Sequence, residues 1–386
     1  MRILHVITGL KKAAGTSVFC GELCNQLVAR GHEVTVAVVN PVASNIYPLD
    51  PRIHLVALGE VVVHSCSCRK EDSLHSRTTT RNYNLIHIHA LWSPILHKVA
   101  KWARRNRIPI VWSTHGMTAP WAMRHKWWKK CLVWWLYQKR DLKRAQLIHC
   151  TSDLEMEWNG KLGFKRTFWA PLGTVLQDGE ARPRRMSGVA KGVKVLLFVG
   201  RIYPVKALDR LIEAFARAIR SAPCDNSWTL RLVGPDQAGH MAELTAICGR
   251  LGLSCSTPAQ ERPGHSVIQF AGPKYGLDLD AEYANCDALA LVSHTENFGA
   301  TVVDAMARGK PVVTSTQTPW KVVEDRNCGW WVSNDIENLA AALVDMMKRT
   351  DTALASMGDC GRKLVEERYT WSAVCDKILD AYERIC

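Results

Sequence analysis

Lys194–Arg220 reads KVLLFVGRIYPVKALDRLIEAFARAIR. Its apolar run Val195–Val199 has the length of a strand and falls far short of the roughly 18 residues that span a bilayer. A turn follows, Gly200-Arg201-Ile202-Tyr203-Pro204-Val205-Lys206, and then a helix over Ala207–Ile219. Strand, glycine turn and helix in that order form the unit from which parallel sheets are built. Downstream come strands at Thr229–Val233, Val267–Phe270 and Ala288–Leu291, a helix over Gly299–Ala307 closed by Gly309, and a strand at Pro311–Thr314.

The same alternation runs upstream. Ile3–Ile7 reads as a strand, followed by a glycine-containing turn and a helix from about Thr16 to Arg30 that ends at Gly31. Strands follow at Glu33–Val39, Ile53–Leu58, Leu85–His89, Ile110–Ser113 and Leu147–Cys150. Between the two series, Asp178–Lys194 is rich in Gly, Pro and Arg and reads as a linker. The expected architecture is α/β, with two Rossmann-like, doubly wound domains facing each other across a cleft. They cover residues 1–180 and 181–368, with 369–386 as a terminal segment.

The chain has 386 residues, of which 47% are apolar and 22% charged, a globular composition that excludes disordered, collagenous and low-complexity classes. Met1–Ile7 enters a strand with no signal-peptide pattern, so a cytosolic protein is expected. Its 14 cysteines are scattered, which suits reduced thiols in that compartment. Only Cys66-Ser67-Cys68 is a close pair, and no second pair follows at zinc spacing.

The net charge of +14 is lopsided: residues 1–180 hold 25 Lys and Arg against 12 Asp and Glu, the rest 25 against 24. Such asymmetry points to a polyanionic partner for the N-terminal half. Trp121–Arg140, WAMRHKWWKKCLVWWLYQKR, carries six of those cations, among them Lys126, Lys129, Lys130 and Arg140. Helical spacing puts Trp127, Trp128, Cys131, Leu132, Trp135 and Leu136 along one side. A basic, Trp-rich amphipathic segment is built for an anionic membrane interface. The alternative is that the tryptophans pack into the core. Nucleic acid is not the expected partner, because no helix-turn-helix, zinc-finger or RNA-recognition pattern is present.

No Gly-x-Gly-x-x-Gly follows the first strand; Gly9-Leu10-Lys11-Lys12-Ala13-Ala14-Gly15 is looser, which argues against a dehydrogenase. Arg201 and Lys206 flank a helix start, where backbone N–H groups and cations jointly hold phosphate. A solvated loop with two unrelated cations is the alternative. In His294-Thr295-Glu296-Asn297-Phe298-Gly299-Ala300-Thr301-Val302-Val303-Asp304, Glu296 precedes the helix and Gly299 lets the backbone approach a ligand. Asp304, further in, is suited to a ribose diol. His87-Ile88-His89 shares one strand face and could bind a metal, but no third ligand lies nearby in sequence, and a structural role is favoured. Asp278-Leu279-Asp280 reads as charge at a helix N-terminus. No Ser-His-Asp or Cys-His nucleophile pattern stands out.

Taken together, these segments resemble glycosyltransferase family 4, retaining enzymes of the GT-B fold. The resemblance covers nearly the whole chain. It rests on the Glu296–Asp304 region, Gly200-Arg201 with Lys206, Thr114-His115-Gly116, Thr151-Ser152-Asp153-Leu154-Glu155, Val233-Gly234-Pro235-Asp236 and Thr318-Pro319-Trp320. Thr318-Pro319-Trp320 and Cys328-Gly329-Trp330-Trp331-Val332 are most similar to bacterial surface-polysaccharide and lipopolysaccharide members.

The resemblance implies that Arg201 and Lys206 bind the donor diphosphate and stabilise it as it leaves. Glu296 lies next to the donor sugar, and the main-chain N–H groups of Asn297, Phe298 and Gly299 contact sugar hydroxyls or phosphate. Asp304 takes the ribose, with Asp where the family has Glu. His115 lies beside the transferred sugar. Gly15 belongs to a loop with Ala13-Ala14 where the family has Gly-Gly. Tyr369–Ile385 is a helix packed back on the N-terminal domain. The expected activity is transfer from a nucleotide-diphosphate sugar, UDP- or GDP-linked, to a saccharide acceptor carried on a lipid, at the inner face of the cytoplasmic membrane. Neither a metal nor another cofactor is called for. Trp127, Trp128, Lys129 and Lys130 are the expected membrane or acceptor contacts. The alternatives are a sugar-nucleotide epimerase and a non-catalytic saccharide- or lipid-binding scaffold.

Overall fold

The computed structural model describes residues 1–11, 15–42, 46–63, 83–124, 126–176, 192–221, 228–257 and 267–386. The Cys66-Ser67-Cys68 pair, residues 178–191 of the linker and Lys12, Ala13 and Ala14 of the first loop lie outside the described residues. The chain forms two compact units, Met1–Gly173 with Trp371–Cys386, and Thr174–Thr370.

The first unit is built on seven parallel strands. These are β1 (Arg2–Val6), β2 (Glu33–Val38), β3 (His54–Ala57), β4 (Leu85–His89), β5 (Ile110–Ser113), β6 (Leu147–Cys150) and β7 (Thr167–Trp169). Their order is β3-β2-β1-β4-β5-β6-β7. The order turns back at β1, which pairs with both β2 and β4, and a doubly wound sheet binds ligands at such a switch point. Alternate residues of β1 serve opposite faces: Ile3 packs under the helix Gly15–Ala29 and the C-terminal helix Trp371–Glu383, while Leu4 and Val6 pack with the helix Pro94–Arg105. Both faces are therefore covered, which is why these strands read as continuous apolar runs.

The second unit repeats the plan. Strands β8 (Lys194–Val199), β9 (Trp228–Val233), β10 (Cys255–Ser256), β11 (Ile268–Gly272), β12 (Ala288–Leu291), β13 (Val312–Ser315) and β14 (Gly329–Val332) take the order β10-β11-β9-β8-β12-β13-β14. Here the switch point lies between β8 and β12. The helix after β8 runs Leu208–Ser221 and buries Leu208, Leu211, Ile212 and Phe215, one stripe at helical spacing. It begins one residue later than the sequence indicates, because Pro204–Lys206 forms a 3₁₀ turn and Ala207 sits in the left-handed region at φ 53°.

Strands β7, β10 and β14 go beyond the sequence reading. The first two are three and two residues long, and β14 opens with a glycine. That glycine is required by close packing: a Cβ on Gly329 would stand 2.2 Å from the Val312 carbonyl oxygen on β13.

The Trp-rich stretch also departs from one continuous helix. It forms short helices Pro120–Arg124 and Trp127–Val133, a π-helical turn Trp134–Gln138 and a last helical piece Lys139–Arg144. The wider π turn rotates the face, so that Trp134 is the residue that packs inward, edge-on to Phe164. Trp121, Trp127, Trp128, Leu132, Trp135 and Leu136 are 52–70% exposed, which rules out core packing as their purpose. Among the described residues no helix is long and apolar enough to cross a membrane.

Candidate active site

In the second unit the turn after β8 and the loop after β12 lie side by side. The His294 N–H donates to the Val205 carbonyl at 2.9 Å. With β8 and β12 paired in parallel, this tie sets Lys206 beside Glu296: the Lys206 ammonium is ion-paired to Glu296 Oε2, and the Ser293 hydroxyl reaches the same oxygen at 3.4 Å. Gly234 allows the turn to close, since a Cβ there would stand 1.8 Å from the Gly200 carbonyl oxygen. Arg201 does not join the pair. Its guanidinium donates to Gln237 Oε1 at 2.7 Å and stands 5.7 Å from the Tyr203 ring centroid, exposed to solvent.

Gly299 caps the helix Ala300–Ala307 at φ 81°, and a Cβ there would stand 2.5 Å from Leu291 Cδ2 and 3.3 Å from Glu296 Cγ. Phe298 is buried against Trp320, ring centroids 5.2 Å apart, and its carbonyl accepts the Trp320 indole N–H. Asn297 is half-buried in the same loop. The segment 296–299 is thus fixed from behind while it leads to a helix N-terminus, a place suited to anionic groups.

Asp304 is in the body of that helix. Its Oδ1 accepts the Thr174 hydroxyl at 2.8 Å, and its carbonyl accepts from Arg308 at 2.8 Å. Burial pushes its carboxyl above the ordinary carboxylate range, against the Thr174 hydrogen bond and Arg308. Asp278 and Asp280 occupy the first turn of the helix Leu277–Asn285, and Asp280 is paired with Arg308.

In the first unit, His115 follows β5 at φ 48°, a costly conformation for a non-glycine residue, and Gly116 follows at φ 73°. Glu155 holds the loop. Fully buried, its carboxylate accepts the Thr114 hydroxyl at 2.6 Å, the Gly116 N–H, and the Thr151 N–H and hydroxyl at 2.8 and 2.9 Å. Glu155 is positioned by the helix Asp153–Lys161, whose N-cap Ser152 accepts the Glu155 N–H. Gly15 opens the helix Gly15–Ala29 and is exposed; a Cβ there would meet nothing within 4 Å.

A histidine network surrounds this loop, and the sequence reading missed it. The absence of a third ligand beside His87 and His89 holds along the chain but not in space, since parallel pairing sets His5 opposite His87. The ligand atoms of His5, His87 and His89 lie within 4.8 Å of one another, as do those of His5, Cys20 and Cys24. Both His87 nitrogens are occupied, however, so His87 belongs to a hydrogen-bonded network. His149 Nε2–H donates to the Ala170 carbonyl at 2.7 Å, which leaves its Nδ1 to accept the Ser113 hydroxyl at 2.7 Å. Ser113 in turn accepts His87 Nε2–H at 2.6 Å, and His87 Nδ1 accepts the Tyr382 hydroxyl at 2.5 Å. Every histidine in that chain is neutral. Burial agrees, pulling His87 well below the ordinary imidazole range and His149 down to about 4.

Residues 14–172 match the family described as glycosyl transferase 4-like domain, and residues 193–349 match glycosyl transferases group 1. The chain is 26% identical over 411 aligned positions to a D-inositol 3-phosphate glycosyltransferase of Geodermatophilus obscurus, covering 97% of this chain and 85% of that one. It is 31% identical to the Saccharomonospora viridis protein of the same name over 52% of this chain, which spans only 45% of that relative. Among solved structures, HepE of Anabaena in complex with UDP and glucose superposes with a TM-score of 0.68 at 18% identity, covering all of both chains. Sucrose-phosphate synthase of Thermosynechococcus elongatus superposes at 0.71 and 17% identity, covering 100% of this chain and 98% of that one. With both halves matched and two seven-stranded parallel sheets of doubly wound order, the chain belongs to glycosyltransferase family 4 and has the GT-B fold.

Proposed function

We propose that this protein is a retaining transferase that moves a sugar from a nucleoside-diphosphate sugar to a saccharide acceptor. The observation that carries the reading is the Lys206–Glu296 pair beside the helix start at Gly299: a cation for phosphate and an acid for sugar hydroxyls, held by one interloop hydrogen bond. The complexes of HepE with UDP and with UDP-glucose support a nucleotide-sugar donor, which we read as UDP- or GDP-linked.

In this reading Lys206 exchanges Glu296 for the donor diphosphate, and Arg201 swings from Gln237 to the same phosphates. The anomeric C–O bond breaks with negative charge growing on the leaving diphosphate, which the two cations stabilise. The acceptor hydroxyl forms the new C–O bond on the same face, and its proton passes to the departing phosphate. The main-chain N–H groups of Asn297, Phe298 and Gly299 hold sugar hydroxyls or phosphate, and Asp304 takes the ribose. His115 contacts a saccharide at the C-terminal edge of the first sheet. No step calls for a metal or another cofactor.

The acceptor is proposed to be lipid-linked, as in surface-polysaccharide synthesis at the cytoplasmic face of the membrane. Six apolar side chains stand in solvent on 121–136, and Lys129 and Lys139 lie 4.9 and 4.8 Å from the Trp128 and Trp135 ring centroids. Such an arrangement suits an anionic lipid surface. A soluble inositol phosphate is the second reading, favoured by the names of the relatives.

The test is a panel of UDP-, GDP-, ADP- and CMP-sugars, following nucleotide release by wild type and Glu296→Ala, with inositol 3-phosphate or a polyprenyl-linked saccharide added. Turnover of one donor, lost in the variant, supports the reading. Release of an altered sugar nucleotide without any acceptor would replace it with an epimerase, and no binding of any donor with a scaffold.

A further inference from the structure

Three imidazoles stand in line in the first unit. His5 Nδ1 and His89 Nε2 are 3.0 Å apart, and His89 Nδ1 and His115 Nε2 are 3.1 Å apart. His5 and His89 are wholly buried, while His115 is partly exposed. A neutral imidazole has one N–H and one bare nitrogen, so hydrogen bonds through three of them run in a single sense.

In one sense His5 donates from Nδ1, His89 donates from Nδ1, and His115 accepts at Nε2 and keeps its proton on Nδ1. In the other sense every proton moves to the opposite nitrogen, and His5 must carry Nε2–H. That last proton decides between them. His5 Nε2 is buried with no hydrogen-bond acceptor among the described residues, and a stranded buried N–H is the rarer and costlier defect. Left bare, it calls for no donor, and Cys20, whose ligand atom lies within 4.8 Å of one of the His5 ring nitrogens, carries a thiol able to donate weakly.

We propose that His5 and His89 are positioning residues that lock His115 as its Nδ1–H tautomer, so that the partly exposed end of the line presents a hydrogen-bond donor. The role this gives His115, donation to a saccharide oxygen rather than proton abstraction, rests on the saccharide-contacting reading of His115 above. The groups packed around it are consistent with a neutral ring: burial, then His89 and His149, hold its pKa well below the ordinary range. The reverse sense would need Cys20 as a thiolate acceptor. The Cys24 hydrogen bond, and after it the charge on His89 and hydrogen bonds with His5 and His89, hold that thiol well below its ordinary range against the opposing effect of burial, so this competing sense is the one that Cys20→Ala tests.

The experiment is long-range ¹H–¹⁵N correlation NMR on the full chain labelled at histidine, at neutral pH, with each ring assigned by substitution. The expected wild-type spectrum has His115 Nδ1 protonated and Nε2 bare, and His5 and His89 in the same state. Cys20→Ala leaves that pattern unchanged. His89→Phe, which keeps a ring but no hydrogen bond, converts His115 to a mixture dominated by Nε2–H, and turnover falls about tenfold with the donor KM unchanged. A wild-type His115 protonated at Nε2 overturns the proposal without any variant having to fold. If the tautomer is as expected but His115→Ala turns over normally, the lock stands and the saccharide role of His115 falls.

Discussion

Lys206 and Glu296 neutralise one another in the free protein, with side chains only 15% and 18% exposed. In the proposed reaction a diphosphate therefore competes with a carboxylate for the lysine, and the carboxylate is released as the donor settles. Lys206→Ala removes the cation on which leaving-group charge would collect, and kcat is expected to fall roughly 100- to 1,000-fold. Glu296→Gln takes away the competitor, so it should bind free nucleoside diphosphate more tightly than wild type while turning over more slowly. Titration calorimetry with UDP and GDP, beside steady-state kinetics, separates the two effects. Equal UDP affinity in wild type and Glu296→Gln would mean the pair has no bearing on phosphate binding.

The buried histidines make the first unit sensitive to acid. Burial holds His5, His87 and His115 below the ordinary imidazole range and brings His149 from 6.5 to about 4. Between those values the unfolded chain binds more protons than the folded one, so stability is full above about pH 6.5 and falls as the pH drops. Each such histidine contributes up to about 1.4 kcal/mol per pH unit in that window. Calorimetry between pH 7.5 and 4.5 should show Tm falling steeply from about pH 6.5, and the slope should ease in His149→Phe if that variant folds. A wild-type Tm that is flat down to pH 5 would show that these rings ionise freely.

Much of the fold is written locally. Leu85–His89, Ile110–Ser113, Leu147–Cys150 and Ala288–Leu291 read directly as strands because parallel strands buried on both faces are unbroken apolar runs. Gly329–Val332 escapes that reading, since its glycine and paired tryptophans answer to Val312 on the neighbouring strand rather than to a local pattern. On the site side, Arg201, Lys206 and Glu296 were singled out because each lies in the turn or loop that follows a readable strand. That Lys206 chooses Glu296 and Arg201 chooses Gln237 is decided by an interloop hydrogen bond no spacing reveals. The histidine network was invisible for a similar reason. It draws one residue each from β1 and β6, three from β4 and β5 and one from the C-terminal helix, and only the parallel register assembles them. The one local hint was that His5, His87, His89 and His149 all fall on short apolar strands, where a histidine needs a partner.

The exposed tryptophans give a surface whose removal should cost no stability. Trp127, Trp128 and Trp135 are 65%, 62% and 70% exposed, so changing all three to Ser should leave Tm within a degree or two. The same variant should lose co-sedimentation with vesicles containing anionic lipid. Lys129→Gln alone should weaken that binding about fivefold, the effect of roughly 1 kcal/mol per cation at a charged surface, and high salt should mimic it. If the triple variant sediments with anionic vesicles as well as wild type does, the helix serves something other than lipid.

The buried carboxyl of Asp304 costs the folded chain stability at neutral pH. Burial raises its pKa in the folded state, so between its ordinary value of 3.8 and that raised value the folded chain binds more protons than the unfolded one. Its contribution to stability therefore decreases as the pH rises through that window and remains unfavourable at neutral pH. Asp304→Asn keeps an oxygen for the Thr174 hydroxyl and removes the buried charge, so its Tm should exceed that of wild type at pH 7, the gap closing as the pH falls through that window and gone below about 4. If Asp304 holds the donor ribose, the same change exchanges a charged acceptor for a neutral one. The donor KM should then rise about tenfold, the worth of one charge-assisted hydrogen bond, with kcat little altered. A stabilised variant with an unchanged donor KM would place Asp304 among the packing residues of the helix and leave the ribose to another group.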